Sequence, residues 1–378
     1  MKDTFAMVYA EPGNPLLGDL IAHRCVAALP VGGRFRAIDF LLSNLSASGI
    51  KDVGVITQRN FQSLDEHIGS GDAWDLARKK GGVALLHPFD QGIGTDLYRG
   101  FADALFAKRY YLERQTGRYC LLLNTDVIYR QDYRAMLDFH KKSGADITVL
   151  YAKDARLAAV RSEAAVRFKI DPEGRVYRIE SADDAGDGAC YNLGAMIIDK
   201  DLLVRLVEDA CAAGRYDLMA DVLEPALARY KVAAFEHEGY AARISSVKTY
   251  AAVMQDMLKP EIRQELFFAH GPVHTRIMDA PPVRFASGCT VENSLCGNGC
   301  EIRGRVVNSV LFRGVRIDAG ADVENCIIMQ DSRIGAGAHL RNAIIDKNSV
   351  VGAGARVVGT PDMITVVRKG SIVEGKRS

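Results

Sequence analysis

Asp126 offers the clearest chemical opening in this sequence. It closes an apolar stretch, 119–124 (YCLLLN), and ligands in open α/β sheets gather where strands end at their carboxyl side. A carboxylate there could hold a divalent cation, or could simply cap a turn amide. Arg78, Lys79 and Lys80 precede Gly81-Gly82, a basic run that could take an anion or lie as solvated surface. Trp74, in GDAWDL, could be a ligand platform or a packing anchor. Four of the eight cysteines crowd between Cys289 and Cys326, near His270 and His274, which raises the question of a metal site. No Cys-x-x-Cys pair occurs, so they read more simply as reduced thiols packed as small hydrophobes.

The elements that must position these residues fall into two grammars. Up to about residue 260, short apolar runs alternate with helical stretches. Residues 4–10, 53–57, 119–124 and 146–151 read as buried strands, and 35–48, 102–114 and 136–142 as helices, with Gly49 as a C-cap. That alternation predicts an α/β domain of Rossmann-like type with a mostly parallel sheet covered on both faces. Residues 168–179, broken by Asp-Pro-Glu-Gly, predict a hairpin. Formal net charge is +1 over 378 residues, so no whole-molecule field points to nucleic acid or an anionic membrane. The N-terminus lacks the pattern of a signal peptide, and no apolar run approaches the roughly 18 residues of a membrane span. A cytoplasmic protein is expected.

From residue 284 the grammar becomes a short repeat. Residues 317–323 (IDAGADV), 334–340 (IGAGAHL) and 351–357 (VGAGARV) are one unit three times, with weaker copies at 285–291 and 296–302. Aliphatic residues fall six apart, and the clear units recur every seventeen residues, close to three hexapeptides per turn. This period predicts a C-terminal left-handed parallel β-helix, with Asn293, Asn325 and Asn342 stacked as a ladder at one corner. The expected domains are 1–250, a helix and connector over 251–283, and the β-helix over 284–378. Hexapeptide proteins often bind acyl-coenzyme A, but this stack is short and His339 is its one histidine, so an acyltransferase is the weakest of the readings.

Residues 32–50 (GGRFRAIDFLLSNLSASGI) resemble the segment after the first glycine loop of ADP-glucose pyrophosphorylases, that is, glucose-1-phosphate adenylyltransferases. Residues 53–58, 67–83, 96–104 and 126–140 resemble the same family in the same order, and these enzymes also carry a C-terminal β-helix. The resemblance implies a transfer in which charge builds on phosphates, so cations, Mg²⁺ on carboxylates and backbone amides must be aimed there.

Position by position, this chain departs from that pattern. The family's Gly-Gly-x-Gly-x-Arg-Leu loop meets Glu11, Pro12, Asn14 and Leu16 at its glycine and arginine positions. Pro12 removes a donor and Glu11 adds a repelling charge. The family's two lysines fall on Val26 and Ala182, and its second metal aspartate on Arg243, leaving Asp126 alone. One aspartate beside an arginine holds Mg²⁺ poorly. The losses select phosphate and metal positions while the scaffold text stays intact, which undirected drift would not do.

The same departures match the family's regulatory D-type subunit. That resemblance implies a catalytically deficient chain in a heterotetramer with a catalytic subunit, needing no cofactor of its own and Mg²⁺ only for residual turnover. It also implies an anionic metabolite effector, with Arg34, Arg36, Arg78, Lys79 and Lys80 as candidates. A homo-oligomer in isolation is also open, through β-helix edges and helix faces. The competing expectation is a working nucleotidyltransferase with a rebuilt loop, using Asp126 with Asp217 or Asp221.

Overall fold

The computed structural model describes every residue except 2, 12, 79–80, 89–96, 159–164, 183–187 and 376–378. Its N-terminal half is built on a nine-stranded sheet. Thr4–Ala10 lies at the centre, parallel to both Asp52–Thr57 and Tyr119–Asn124, and Gly82–Leu86 extends the parallel run. Thr4–Ala10 and Tyr119–Asn124 are buried along their whole length, as continuous apolar strands covered on both faces must be. Cys190–Asp199 then runs antiparallel to Tyr119–Asn124 and to Ile147–Ala152. The expected hairpin is present as Val166–Ile170 against Val176–Ser181.

Several boundaries differ from the sequence-based expectation for local reasons. Ala37–Ala47 is the helix expected from residue 35, because Phe35–Arg36 is instead a short strand paired with Pro30–Val31. The asparagine-free stretch 102–114 is two helices, Phe101–Ala107 and Arg109–Glu113, broken at Lys108, whose ammonium donates to the carbonyl of His87. The helix Val247–Asp256 begins inside the first expected domain, and is held at its start by a Ser246–Thr249 capping box.

The C-terminal half is a left-handed parallel β-helix of three ladders. Six, five and five short strands stack in parallel, each pairing with the strand one coil later. Asn293, Asn308, Asn325 and Asn342 all take positive φ, a conformation that asparagine tolerates better than other side chains with a Cβ. Asn293 donates to Asn308 at 2.7 Å and Asn325 to Asn342 at 3.4 Å. Asn308 was not expected in this ladder, because one coil is two residues shorter than its neighbours.

One ladder of the β-helix faces the N-terminal half. Val310, Phe312, Ile327, Met329 and Ile344 share a hydrophobic cluster with Leu17, Leu20, Val26, Phe40, Tyr250 and Met254. A single continuous core therefore joins the halves, and residues at their seam are held in fixed relation.

Candidate functional site: a closed crevice

The crevice lies at the carboxyl ends of Thr4–Ala10 and Tyr119–Asn124. Asp126 follows the second strand and is buried. Ala241–Arg243 pairs antiparallel with Val127–Tyr129, in a register that sets Arg243 opposite Val127. That register brings the Arg243 guanidinium onto Asp126 Oδ2, with Nη1 donating. Nη2 donates to the Asn192 carbonyl at 2.5 Å and Nε to the Leu157 carbonyl at 3.2 Å. Asn192 sits where the Cys190–Asp199 strand shifts register, beside Gly194 at φ +72; a bulge of this kind re-aims the backbone. A side chain at Gly194 would meet Asn124 Cβ at 2.8 Å, so glycine permits the close approach.

These residues do not fit a divalent cation. Asp126 keeps one buried oxygen, Oδ1, without a partner among the described residues, which is a single ligand, while Arg243 places positive charge against the other. Mg²⁺ requires near-octahedral oxygen ligation, commonly through one or two carboxylates. Asp217 and Asp221 supply none. Asp217 accepts from the Met219 and Ala220 amides at 2.7 and 2.8 Å, and Asp221 from those of Tyr216 and Asp217 at 2.8 and 2.9 Å. Both carboxylates thus start the Leu218–Leu223 turn, and burial pushes the Asp217 carboxyl up from its ordinary value.

The other positions singled out in the sequence are likewise taken up by packing. Glu11 lines a cavity of about 30 Å³ with Tyr9, Phe101, Asn124 and Asp217, far below the roughly 300 Å³ of a typical small-molecule site. Tyr9 stacks on Phe101 at 4.7 Å between centroids. Asn14 accepts from the Leu16 amide at 2.9 Å and caps the Pro15–Ile21 turn, while Leu16 points outward, 45% exposed. Val26 and Ala182 are fully buried apolar side chains; a Cβ on Gly13 would strike Val26 at 2.5 Å. Pro12 lies outside the described residues.

A nucleotidyl transferase family profile matches residues 19–240, and a GlmU-like C-terminal hexapeptide profile matches 281–363. The glucose-1-phosphate adenylyltransferase of Halalkalibacterium halodurans is 34% identical over 328 residues, spanning 85% of this chain and 84% of its own. Those of Geobacillus stearothermophilus and Bacillus subtilis are 34% and 31% identical, over 85% and 84% of this chain. They cover 84% and 83% of their own lengths. The chain belongs to the glucose-1-phosphate adenylyltransferase family.

The cationic candidates separate at the seam. Arg34 is exposed and lines a cavity of about 470 Å³ with Arg276, Asp279, Asn298 and Arg313. Arg36 is instead bonded to the Ser63 carbonyl and, at 2.9 Å, to the Ser63 hydroxyl, and burial lowers its guanidinium to about 10. Its field and that of Arg24 act on Lys347, whose ammonium is pushed down to about 7, first by burial. Arg24 spans the seam to Asp346 through two bonds, at 2.8 and 2.9 Å. Arg78 pairs with Asp75 at 2.8 Å, and Lys79 and Lys80 lie outside the described residues. The sequence pattern carried no sign of Arg24, Lys347, Arg276 or Arg313, which come together only when the β-helix docks.

The remaining candidates have structural partners. Trp74 is buried and donates to the His274 carbonyl at 3.0 Å. His339 lies on the β-helix surface, 3.3 Å from Asp322. The eight cysteines are free thiols. Among the described residues no helix is long and apolar enough to cross a membrane.

Proposed function

We propose that this chain is a regulatory, catalytically deficient subunit of glucose-1-phosphate adenylyltransferase, working in the cytoplasm in glycogen biosynthesis. Its partner is a catalytic subunit, in a heterotetramer, that makes ADP-glucose from ATP and glucose 1-phosphate. The observation carrying this reading is the Arg243–Asp126 pair, which puts a cation where a divalent metal would need a second carboxylate. Losing one preorganised charge-stabilising group typically costs about 10²–10³ in rate. Here one of the two metal positions is an arginine, and both lysine positions and the loop arginine position are apolar, so little turnover is left to the chain alone.

Regulation in this proposal is by an anionic metabolite at the seam. Lys347 and Arg36 make no ion pair among the described residues, Asp346 being engaged by Arg24. Arg34, with Arg276 and Arg313, supplies a second cationic lining.

The test is pyrophosphate release from ATP and glucose 1-phosphate with Mg²⁺, first by the purified chain and then with the catalytic subunit from the same genome. The expected result is no appreciable turnover alone and a changed rate or effector response in the mixture. Robust Mg²⁺-dependent turnover alone, abolished by Asp126→Asn, would replace this reading with an active transferase. Failure to bind the catalytic subunit would also overturn it.

A further inference from the structure

Lys347 stands at a corner of the β-helix, between the strands Ala343–Ile345 and Val350–Val351. Its backbone is pinned there on both sides. The amide donates to Asp346 Oδ1 at 2.7 Å, and the carbonyl accepts from the Gly370 amide at 2.9 Å. The side chain is half-buried, and its terminal nitrogen makes no hydrogen bond or ion pair among the described residues.

The charges around that nitrogen are cations and carboxylates already engaged. Arg36, Arg24 and Lys369 oppose its positive charge, and Asp346 favours it. Both Asp346 oxygens accept from Arg24. Asp39 is taken up as well: Oδ1 lies 2.6 Å from His67 Nε2, and Oδ2 accepts from the Arg36 amide at 2.9 Å. Glu66 is exposed and accepts from Gln62 at 3.2 Å. Arg36 spends Nη1 on Ser63, while its Nε and Nη2 make no hydrogen bond among the described residues. A half-buried amine and a guanidinium with two free donors therefore share one field, with no free carboxylate to answer them.

Burial first, then the fields of Arg36 and Arg24, push the Lys347 ammonium down to about 7. At pH 8 such a group is mostly neutral amine, whereas an exposed lysine is neutral in under about 1% of molecules. A neutral amine is a nucleophile, and a guanidinium edge with two parallel donors suits a planar, carboxylate-like anion.

We propose that Lys347 is a carbon dioxide site, whose amine adds CO2 to form a carbamate held by Arg36. The nitrogen lone pair forms the N–C bond, one C=O electron pair moves onto oxygen, and the amine's proton leaves to water. The product places a fixed negative charge in a cluster that lacks one. The carbamate needs neither an effector nor a catalytic subunit, so it stands independently of the regulatory reading.

The test is carbamate trapping on the purified full-length chain at pH 8, equilibrated with isotopically labelled CO2. A trialkyloxonium salt esterifies the carbamate, and peptide mass spectrometry then locates the label. Lys347 carries about tenfold or more label than the exposed Lys51 and Lys142. Lys347→Met and Lys347→Arg lose it while keeping the wild-type circular dichroism. Arg36→Met, with its fold checked in the same way, keeps the amine and lowers its label about tenfold, as loss of charge-assisted hydrogen bonds should. Label at Lys347 no greater than at Lys51 overturns the proposal. So does label indifferent to Arg36→Met, which marks a bare reactive amine rather than a site.

Discussion

Two buried arginine–aspartate pairs serve different ends in this molecule. Arg243–Asp126 lies within one domain and joins residues brought together by a short antiparallel pairing. Arg24–Asp346 crosses the seam, joining residues 322 positions apart. In the first, one carboxylate oxygen has no partner among the described residues. In the second, both oxygens accept from Arg24, and Oδ1 also takes the Lys347 amide at 2.7 Å. A buried ion pair is weak evidence for net stabilisation, because desolvation offsets much of the attraction. The crevice pair matters for what it keeps out, and the seam pair for the register it imposes on two halves that share an apolar core.

The largest effect is expected from Arg243→Ala. It leaves Asp126 buried without a cation and strips two carbonyls of their donor, so denaturant titration should record a loss of about 3–5 kcal/mol. Replacing Asp126 and Arg243 together by Leu and Met should return stability to within about 1 kcal/mol of wild type, since no orphaned charge then remains. Arg24→Ala should cost a similar amount but carry another signature: the transitions followed by probes in the two halves should separate. A single coincident transition would mean that the apolar seam alone couples them.

A smaller effect sharpens the contrast from the crevice side. Arg243→Asp sets two carboxylates together, and Mg²⁺ should raise the melting midpoint of that variant and not of wild type. Saturation to a hundredfold of the dissociation constant corresponds to about 2.7 kcal/mol. Absence of any shift would mean that the surrounding packing, and not Arg243 alone, denies the crevice to metal.

A further effect concerns pH at the seam. The Lys347 ammonium loses its proton at about 7 in the folded chain, against about 10.4 when exposed. Between these values the unfolded chain holds a proton that the folded chain has released, so stability should rise with pH across that window. Lys347→Met should abolish the rise and gain most below pH 7, where the cost of the buried charge is fully present. Thermal melts from pH 6 to 10 would show whether the slope survives.

Much of the fold was legible from residue order. Thr4–Ala10 and Tyr119–Asn124 begin and end where their apolar runs do, because a strand buried on both faces has no polar alternation to blur its limits. The β-helix was legible because each coil repeats the demand for an inward aliphatic and a tight corner. Asn308 escaped notice because the shortened coil breaks the seventeen-residue count. Lys108, where the expected helix breaks, donates to the His87 carbonyl 21 residues away, a contact that leaves no local mark.

The sequence by itself determined the architecture and the family. These are local or periodic properties, written in composition and spacing. Tertiary structure decided what individual residues do. Arg243 reaches Asp126 only through its strand register against Val127. Arg36 and Lys347 came to share a field only when the β-helix packed on the N-terminal half. Contacts between residues hundreds of positions apart depend on how apolar faces dock, and the chain carries no spacing that announces them.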